Sequence, residues 1–443
     1  MSTDHDHRHQ HGSYSHSHDH KEGDSHSHGQ DASVPNSPNN PNDPAWHWPR
    51  PGIRKRMHTP ALYIPPQYPE MLQRLQAKAK KELGDEFLGI TSEGILLPGL
   101  FPVTKTGVTV TPMAEAAGAL LALLDHAQQQ KACFDVQSEQ WRAWCNIHPF
   151  ISRHGIGLHE LTPAQRGAAL NLVGTALSAS GFETARNVMR LNEHCLEITG
   201  LPEEYNEWYY WLSLFGPPSP SEPWGWQLDG HHLILNCLVL GDQIVFTPQF
   251  LGSEPVFAQF GKYAGTHVFR PEEASGLAMM RALSPDQQAK ATISTALPGE
   301  VFAPAFSDNL RIQFEGIRYD ELSAVQQQNL RDLIRIYTER LRPGHAQIRF
   351  GEICDHLRDT YFAWIGSTED RNPFYYRIYN PVVLIEFDHQ PGVVYENSVP
   401  TRDHIHTVVR TPNGNDYGRD LLRQHYAQHD HSREDSVHRR GQE

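Results

Sequence analysis

The sequence is poor in the features that would tie it to a membrane, a disulfide frame or a nucleic acid. Five cysteines (Cys133, Cys145, Cys195, Cys237 and Cys354) are scattered over 443 residues with no C-x-x-C. An odd, widely spaced set fits buried reduced thiols, not a disulfide framework or a structural zinc knot. No apolar run approaches the roughly 18 residues that a membrane span needs, and no basic-then-apolar leader follows Met1. Those absences predict a cytoplasmic chain with no membrane partner. Lysine and arginine number 38 against 52 acidic residues, for a net charge of −14, and no Lys/Arg stripe marks a phosphate-binding face. Nucleic acid is therefore not expected as a partner. Walker, GxGxxG, GxSxG, HExxH and Cys–His nucleophile patterns are all missing, which removes the common nucleotide, serine-hydrolase and zincin readings.

Histidine is abundant: the chain has 28, nine of them between His5 and His28. There they alternate with Asp, Ser and other small polar residues before a Pro/Asn/Ser stretch at 33–44. Residues 1–50 cannot bury apolar surface and are expected to be disordered. The spacing differs from a regular six-His tag and favours a native tail that holds Zn, Ni or Cu ions loosely. A floppy tail cannot fix a first coordination shell, so it is not expected to be catalytic.

From residue 51 the pattern becomes globular, and 51–426 reads as one domain followed by a charged tail at 427–443. Helical periodicity covers 69–81, 112–130, 162–178, 182–199, 271–283, 285–295 and 323–341, several with Ser/Thr-Pro or Arg-Pro starts. Strand-like runs cover 108–111, 232–240, 244–247, 375–387 and 404–411. Helices and strands come in blocks, which predicts an α+β fold: a largely antiparallel sheet core surrounded by helices.

Two segments align without a gap at an offset of 150. Phe215-Gly216 falls on Ile365-Gly366, Pro223 to Trp226 on Pro373 to Tyr376, and His232 to Asn236 on Val382 to Glu386. Each is followed by a strand ending in Thr-Pro, at Thr247-Pro248 and Thr411-Pro412. The shared order predicts two related β-hairpin units. Strand alternation then puts His232 and Asn236 on one face, matching Glu386 and Asp388, and sends His231 with Leu233, Leu235 and Cys237 toward the core.

His404-Ile405-His406 is an H-x-H on a β-branched run, so both imidazoles point the same way. Hairpin pairing with the Glu386/Asp388 strand predicts two carboxylates beside two histidines. That is the ligand set of mononuclear Fe, Mn or Zn centres. The candidate metal ligands are His232, His404, His406, Glu386 and Asp388, with His231 as the alternative to His232 if a bulge reverses the parity. His389 is a reserve or outer-sphere residue. The carboxylate not bound to metal, Glu386 or Asp388, is the candidate general base. Arg377 and Arg410 are candidates to bind a substrate carboxylate or to neutralise the cluster. Asp416-Tyr417-Gly418 and His425-Tyr426 fit capping and packing as well as chemistry. Trp208, Tyr209, Tyr210, Trp211, Trp224 and Trp226 are read mainly as core.

The phrases DGHHLILN, TPQFLGSEP, YYRIYNPVVLIEFDH, HIHTVVRTPNGNDYG and DLLRQHY together resemble DUF3500, a family known as a domain of unknown function. The resemblance runs over about residues 60–430. A small polar residue is usual in that family where this chain has Ile234, and Asn is frequent in place of His389; His232, Glu386, Asp388, His404 and His406 are unaffected by either departure. The resemblance implies no settled activity. The residues themselves predict a metal-dependent enzyme acting on a small-molecule substrate with one divalent transition metal, zinc or iron foremost and Cu, Mn or Ni as alternatives. Hydrolysis through activated water is the first expectation. Alternatives are a mononuclear non-haem iron or copper oxidoreductase at the same site, and a metal-storage protein acting through its His-rich tail.

Overall fold

The computed structural model describes residues 68–147 and 154–428. The expected tail at 1–50 and nearly all of that at 427–443 lie outside them. After α1 (Tyr68–Gly84) the chain runs through α2 (Thr111–Leu123), α3 (His126–Ala132), β1 (Cys133–Phe134), β2 (Ile156–Gly157), α4 (Pro163–Ala176) and α5 (Ala179–Thr199). It then forms β3 (Tyr210–Phe215), β4 (Trp224–Gly230), β5 (Leu233–Leu240), β6 (Gln243–Val245) and β7 (Gln249–Ser253). The second half repeats that order: α6 (Arg270–Arg281), α7 (Pro285–Ala291), β8 (Thr292–Ser294), β9 (Ile317–Arg318), α8 (Ala324–Thr338) and α9 (Pro343–Asp355). β10 (Tyr361–Gly366), β11 (Phe374–Asn380), β12 (Val383–Pro391), β13 (Pro400–Arg410) and α10 (Arg419–Gln428) complete it.

All thirteen strands join one sheet in the order β1-β3-β4-β5-β7-β13-β12-β11-β10-β8, with β2 beside β3, β6 beside β5 and β9 beside β10. Only β1 with β3 and β8 with β10 pair in parallel. The fold is α+β, and its sheet reads the same from either edge, with the two halves meeting where β7 pairs with β13. The duplication thus extends well beyond the two hairpin units expected.

Local chemistry repeats with it. Asp125 caps α3 through Gln128 N and Ser284 caps α7 through Gln287 N, both in reciprocal capping boxes. Thr162 with Gln165 and Ser323 with Gln326 do the same for α4 and α8. Gln165 Nε2 reaches back to Leu123 O at 2.9 Å, and Gln326 Nε2 to Ala282 O at 2.8 Å. The paired glycines that end β3 and β10, Gly216 and Gly366, both turn with positive φ, 72° and 99°, a region that a side chain disfavours. Two-residue turns at 231–232 and 381–382 join β4 to β5 and β11 to β12.

Four expectations are corrected. Residues 108–110 are not a strand: Thr111-Pro112 opens α2, and the Pro start outweighs the β-branched run. The span 112–130 is two helices, because the Asp125 capping box starts a new one. Residues 292–294, expected as the end of a helix, form β8. The run 375–387 is two strands, since Pro381 cannot continue the ladder and the chain turns there. The repeat also pairs differently at its ends: β6 and β7 together stand where β13 runs unbroken.

The central strands β3, β4, β5 and β11 are buried along their whole length. Polar residues such as Gln227 and Asn236 on these strands, and Glu386, Asp388 and Arg410 on β12 and β13, are fully enclosed, where each needs a partner to offset lost hydration. Among the described residues no helix is long and apolar enough to cross a membrane.

Candidate metal centre

β13 alternates its side chains, so His404 and His406 share one face. The third imidazole comes from the other half. His232 is not on the strand face expected of it; it is the second residue of the β4–β5 turn, with φ of 60°. Its N–H donates to Asn146 O at 3.0 Å, and its carbonyl accepts from Gly252 N at 2.8 Å. The first ties the turn to Asn146 and the second to β7, and β7 pairs Gly252 directly with His406. A Cβ on Gly252 would stand 2.8 Å from the His406 ring and 3.2 Å from the His232 ring. The bare glycine is what lets imidazoles from two halves meet over the β7–β13 seam.

The three Nε2 atoms converge: His404 to His232 at 3.2 Å, His404 to His406 at 3.0 Å and His406 to His232 at 3.0 Å. All three side chains are buried. The far nitrogens fix the tautomers. His404 Nδ1–H donates to Pro391 O at 2.7 Å, and His406 Nδ1–H donates to Glu300 Oε1 at 2.8 Å. A backbone carbonyl has no proton to give, and a carboxylate accepts, so with these partners the Nε2 of each ring presents a lone pair inward. Burial, and then the neighbouring His406, lowers the basicity of His404 well below the usual imidazole range, which keeps it neutral. Glu254 supports the same ring from behind. Its carboxylate accepts from the backbone of Val393, Val394 and Tyr395 at 2.7–2.8 Å and stands 3.6 Å from His404 Nδ1.

The two carboxylates expected as ligands share the His404/His406 face, because Asp388 pairs with His406 and Glu386 with Val408. The cluster with ligand atoms inside 4.8 Å nevertheless contains only His232, His404 and His406. Glu386 is engaged elsewhere: it accepts from Phe302 N at 2.7 Å, Ala303 N at 2.9 Å and Tyr375 Oη at 2.7 Å. Burial raises its pKa despite those donors. Asp388 is less committed. Its Oδ2 accepts from Gln390 Nε2 at 2.5 Å, while its buried Oδ1 has no hydrogen-bond partner. Burial first, then the charges of Glu300 and Glu386, pushes its pKa well above the carboxylate norm.

The remaining candidates add no ligand atom to the three imidazoles. His231 stacks on His232 with centroids 3.9 Å apart, and its Nδ1–H donates to Asn192 Oδ1 at 2.8 Å. His389 points to the opposite face, its Nε2 bonded to Glu273 at 3.0 Å. Arg377 pairs with Glu315 at 2.8 Å. Arg410 is fully buried between Asp308 and Asp416, each at 2.7 Å, so Asp416 serves packing. Tyr417 joins the same network through Asp308 at 3.0 Å and Trp144 at 2.8 Å. Tyr210, Trp211, Trp224 and Trp226 are core, as expected.

Glu300, Glu254 and Gly252 were not singled out from the sequence. Gly252 carried a signal, since a glycine inside a strand run often marks close approach of another group. Glu300 lies in a loop with no motif around it.

No curated protein and no solved structure matches the chain. A family model described as "protein of unknown function" matches residues 106–419, a span that includes both repeats and all three converging histidines. The chain belongs to the DUF3500 family.

Proposed function

We propose that this chain is a metal-dependent enzyme, a hydrolase in which one divalent transition metal bound by His232, His404 and His406 activates water. One observation carries the reading. The Nε2 atoms of His404 and His406 lie 3.0 Å apart with both protons committed to the outer nitrogens. Two lone pairs at that distance repel, and a cation between them turns the repulsion into binding. Nitrogens bonded at about 2.0–2.1 Å to one tetrahedral ion stand about 3.3 Å apart, close to the spacings here. Three histidines around an open fourth position are an established arrangement for lowering the pKa of bound water.

The chain's own residues supply the rest. Glu300 orients His406 and makes it a stronger donor, and Pro391 O does the same for His404. Asp388, directly across from His406 and with one oxygen unengaged, is the candidate to accept or donate a proton during turnover of a small-molecule substrate.

A second reading rests on the charge of the donor set. Three neutral imidazoles without a carboxylate also suit iron or copper, and would then support an oxidoreductase. Elemental analysis separates the readings, using the chain without residues 1–50 so that tail histidines add no weak sites. One equivalent of zinc supports hydrolysis; iron or copper supports redox chemistry. The His404→Ala and His406→Ala variants should lose that metal. Equal metal in variants and parent would remove the centre, and loss of all metal on tail deletion alone would favour storage through the tail.

A further inference from the structure

A cavity of about 250 Å³ lies away from the three histidines, between β6, the start of β12 and helices α8 and α9. The duplication gives its position a meaning. Leu238 stands 150 residues before Asp388 in strands that follow equivalent turns. Leu238 pairs with Val245, and Asp388 pairs with His406. Val245 is therefore the counterpart of His406, Gln243 that of His404, and Val382, second in its turn, that of His232. All three counterparts line the cavity. The corner that gathers imidazoles in one half is an open space in the other, with no metal-binding side chain in the equivalent places.

Buried polar nitrogens on the cavity wall lack partners among the described residues, in Asn415, in His345 and in Gln249, whose Oε1 accepts from Arg340 at 2.9 Å while its Nε2 donates to nothing. The Asn415 carboxamide oxygen accepts from Leu421 N, but its Nδ2 donates to nothing, and the buried His345 ring makes no hydrogen bond. Burial depresses the His345 pKa to about 4, so its ring is neutral. Arg349, the cation on the wall, already gives its terminal nitrogens to Val382 O at 2.7 Å and Glu352 at 3.0 Å. An anion would meet a guanidinium already paired with Glu352 and the carboxylates of Glu352 and Asp355 on the same wall, whereas a carbonyl oxygen would find a donor. Sites for small molecules are mostly apolar with a few such polar anchors, and this volume falls just below their usual range, which suits a small ligand.

We propose that this cavity is a second ligand site, for a small uncharged organic molecule with an apolar body and one carbonyl-type acceptor. The site is distinct from the metal centre and does not depend on that reading. The probe is hexanamide, titrated into the full-length chain and followed by saturation-transfer NMR and thermal shift. Wild type should bind it saturably, and hexanoate at least several-fold more weakly. Ile348→Trp, at a partly exposed position on the wall, should fill the space and weaken binding at least tenfold. His345→Leu should weaken it several-fold, and neither variant should change metal content. No saturable binding by wild type up to roughly 20 mM, where even a weak fragment registers, would overturn the proposal. Equal binding by all three proteins, or equal binding of hexanoate, would do so as well.

Discussion

Glu300 is the residue whose role is easiest to isolate. Its side chain is 37% exposed, yet one oxygen holds the His406 ring at 2.8 Å. Glu300→Gln keeps the shape and removes the charge behind the imidazole, so metal affinity should fall roughly 10- to 100-fold while thermal stability without metal stays level. Competition with a chromogenic chelator measures the first and calorimetry the second. Unchanged affinity would mean that the contact is incidental. His154 offers a pH test. Its Nε2 bonds Gln227 Oε1 at 2.6 Å, its Nδ1 is buried without a partner, and burial lowers its pKa from 6.5 to about 4. The folded chain thus resists protonation that the unfolded chain accepts. The stability this contributes is intact above pH 6.5 and declines as pH falls toward about 4. His154→Gln should flatten the melting temperature across that window, and an unchanged slope would assign the acid sensitivity to other groups.

At the scale of single elements, the helix starts are the repeated design. Thr162 and Ser323 cap α4 and α8 in matching boxes whose glutamines also tie back to the preceding helix. Replacing either cap with alanine should cost about 1 kcal/mol, and the double variant should show additivity, since the two sites share no partner. Urea titration reads both, and a strongly non-additive double variant would mean that the contact between the halves at Leu177 and Leu341 couples the two helix starts. The α4 start was readable from Thr162-Pro163, whereas α8, with Ala324 after Ser323, was placed by its periodicity alone; most helices were placed well. Several strands were not. Tyr210, Trp211 and Trp224 to Trp226 looked like core aromatics, and their strand character shows only once β3 and β4 are paired. The same limit applies to the site. Alternation correctly grouped Glu386, Asp388, His404 and His406 on a face, because facing follows from parity. Which of them meet depends on where β7 lays Gly252 and on what the 300–303 loop does with Glu386, and those contacts are long-range.

For the molecule as a whole, the β7–β13 ladder makes two similar halves into one sheet. Neither half can keep a central strand edge open to water without exposing unpaired backbone and a buried apolar face. Denaturation should accordingly be a single transition, coincident by tryptophan fluorescence and near-UV circular dichroism; two resolved transitions would show that the halves fold as separate units.

The glycine that admits the imidazoles also decides what a bound cation does mechanically. His232 belongs to the first repeat and His404 with His406 to the second, so an ion held by all three would clasp the two repeats across the β7–β13 ladder. Its binding free energy would be added to the folded state alone, and thermal resistance would rise with the logarithm of free metal concentration.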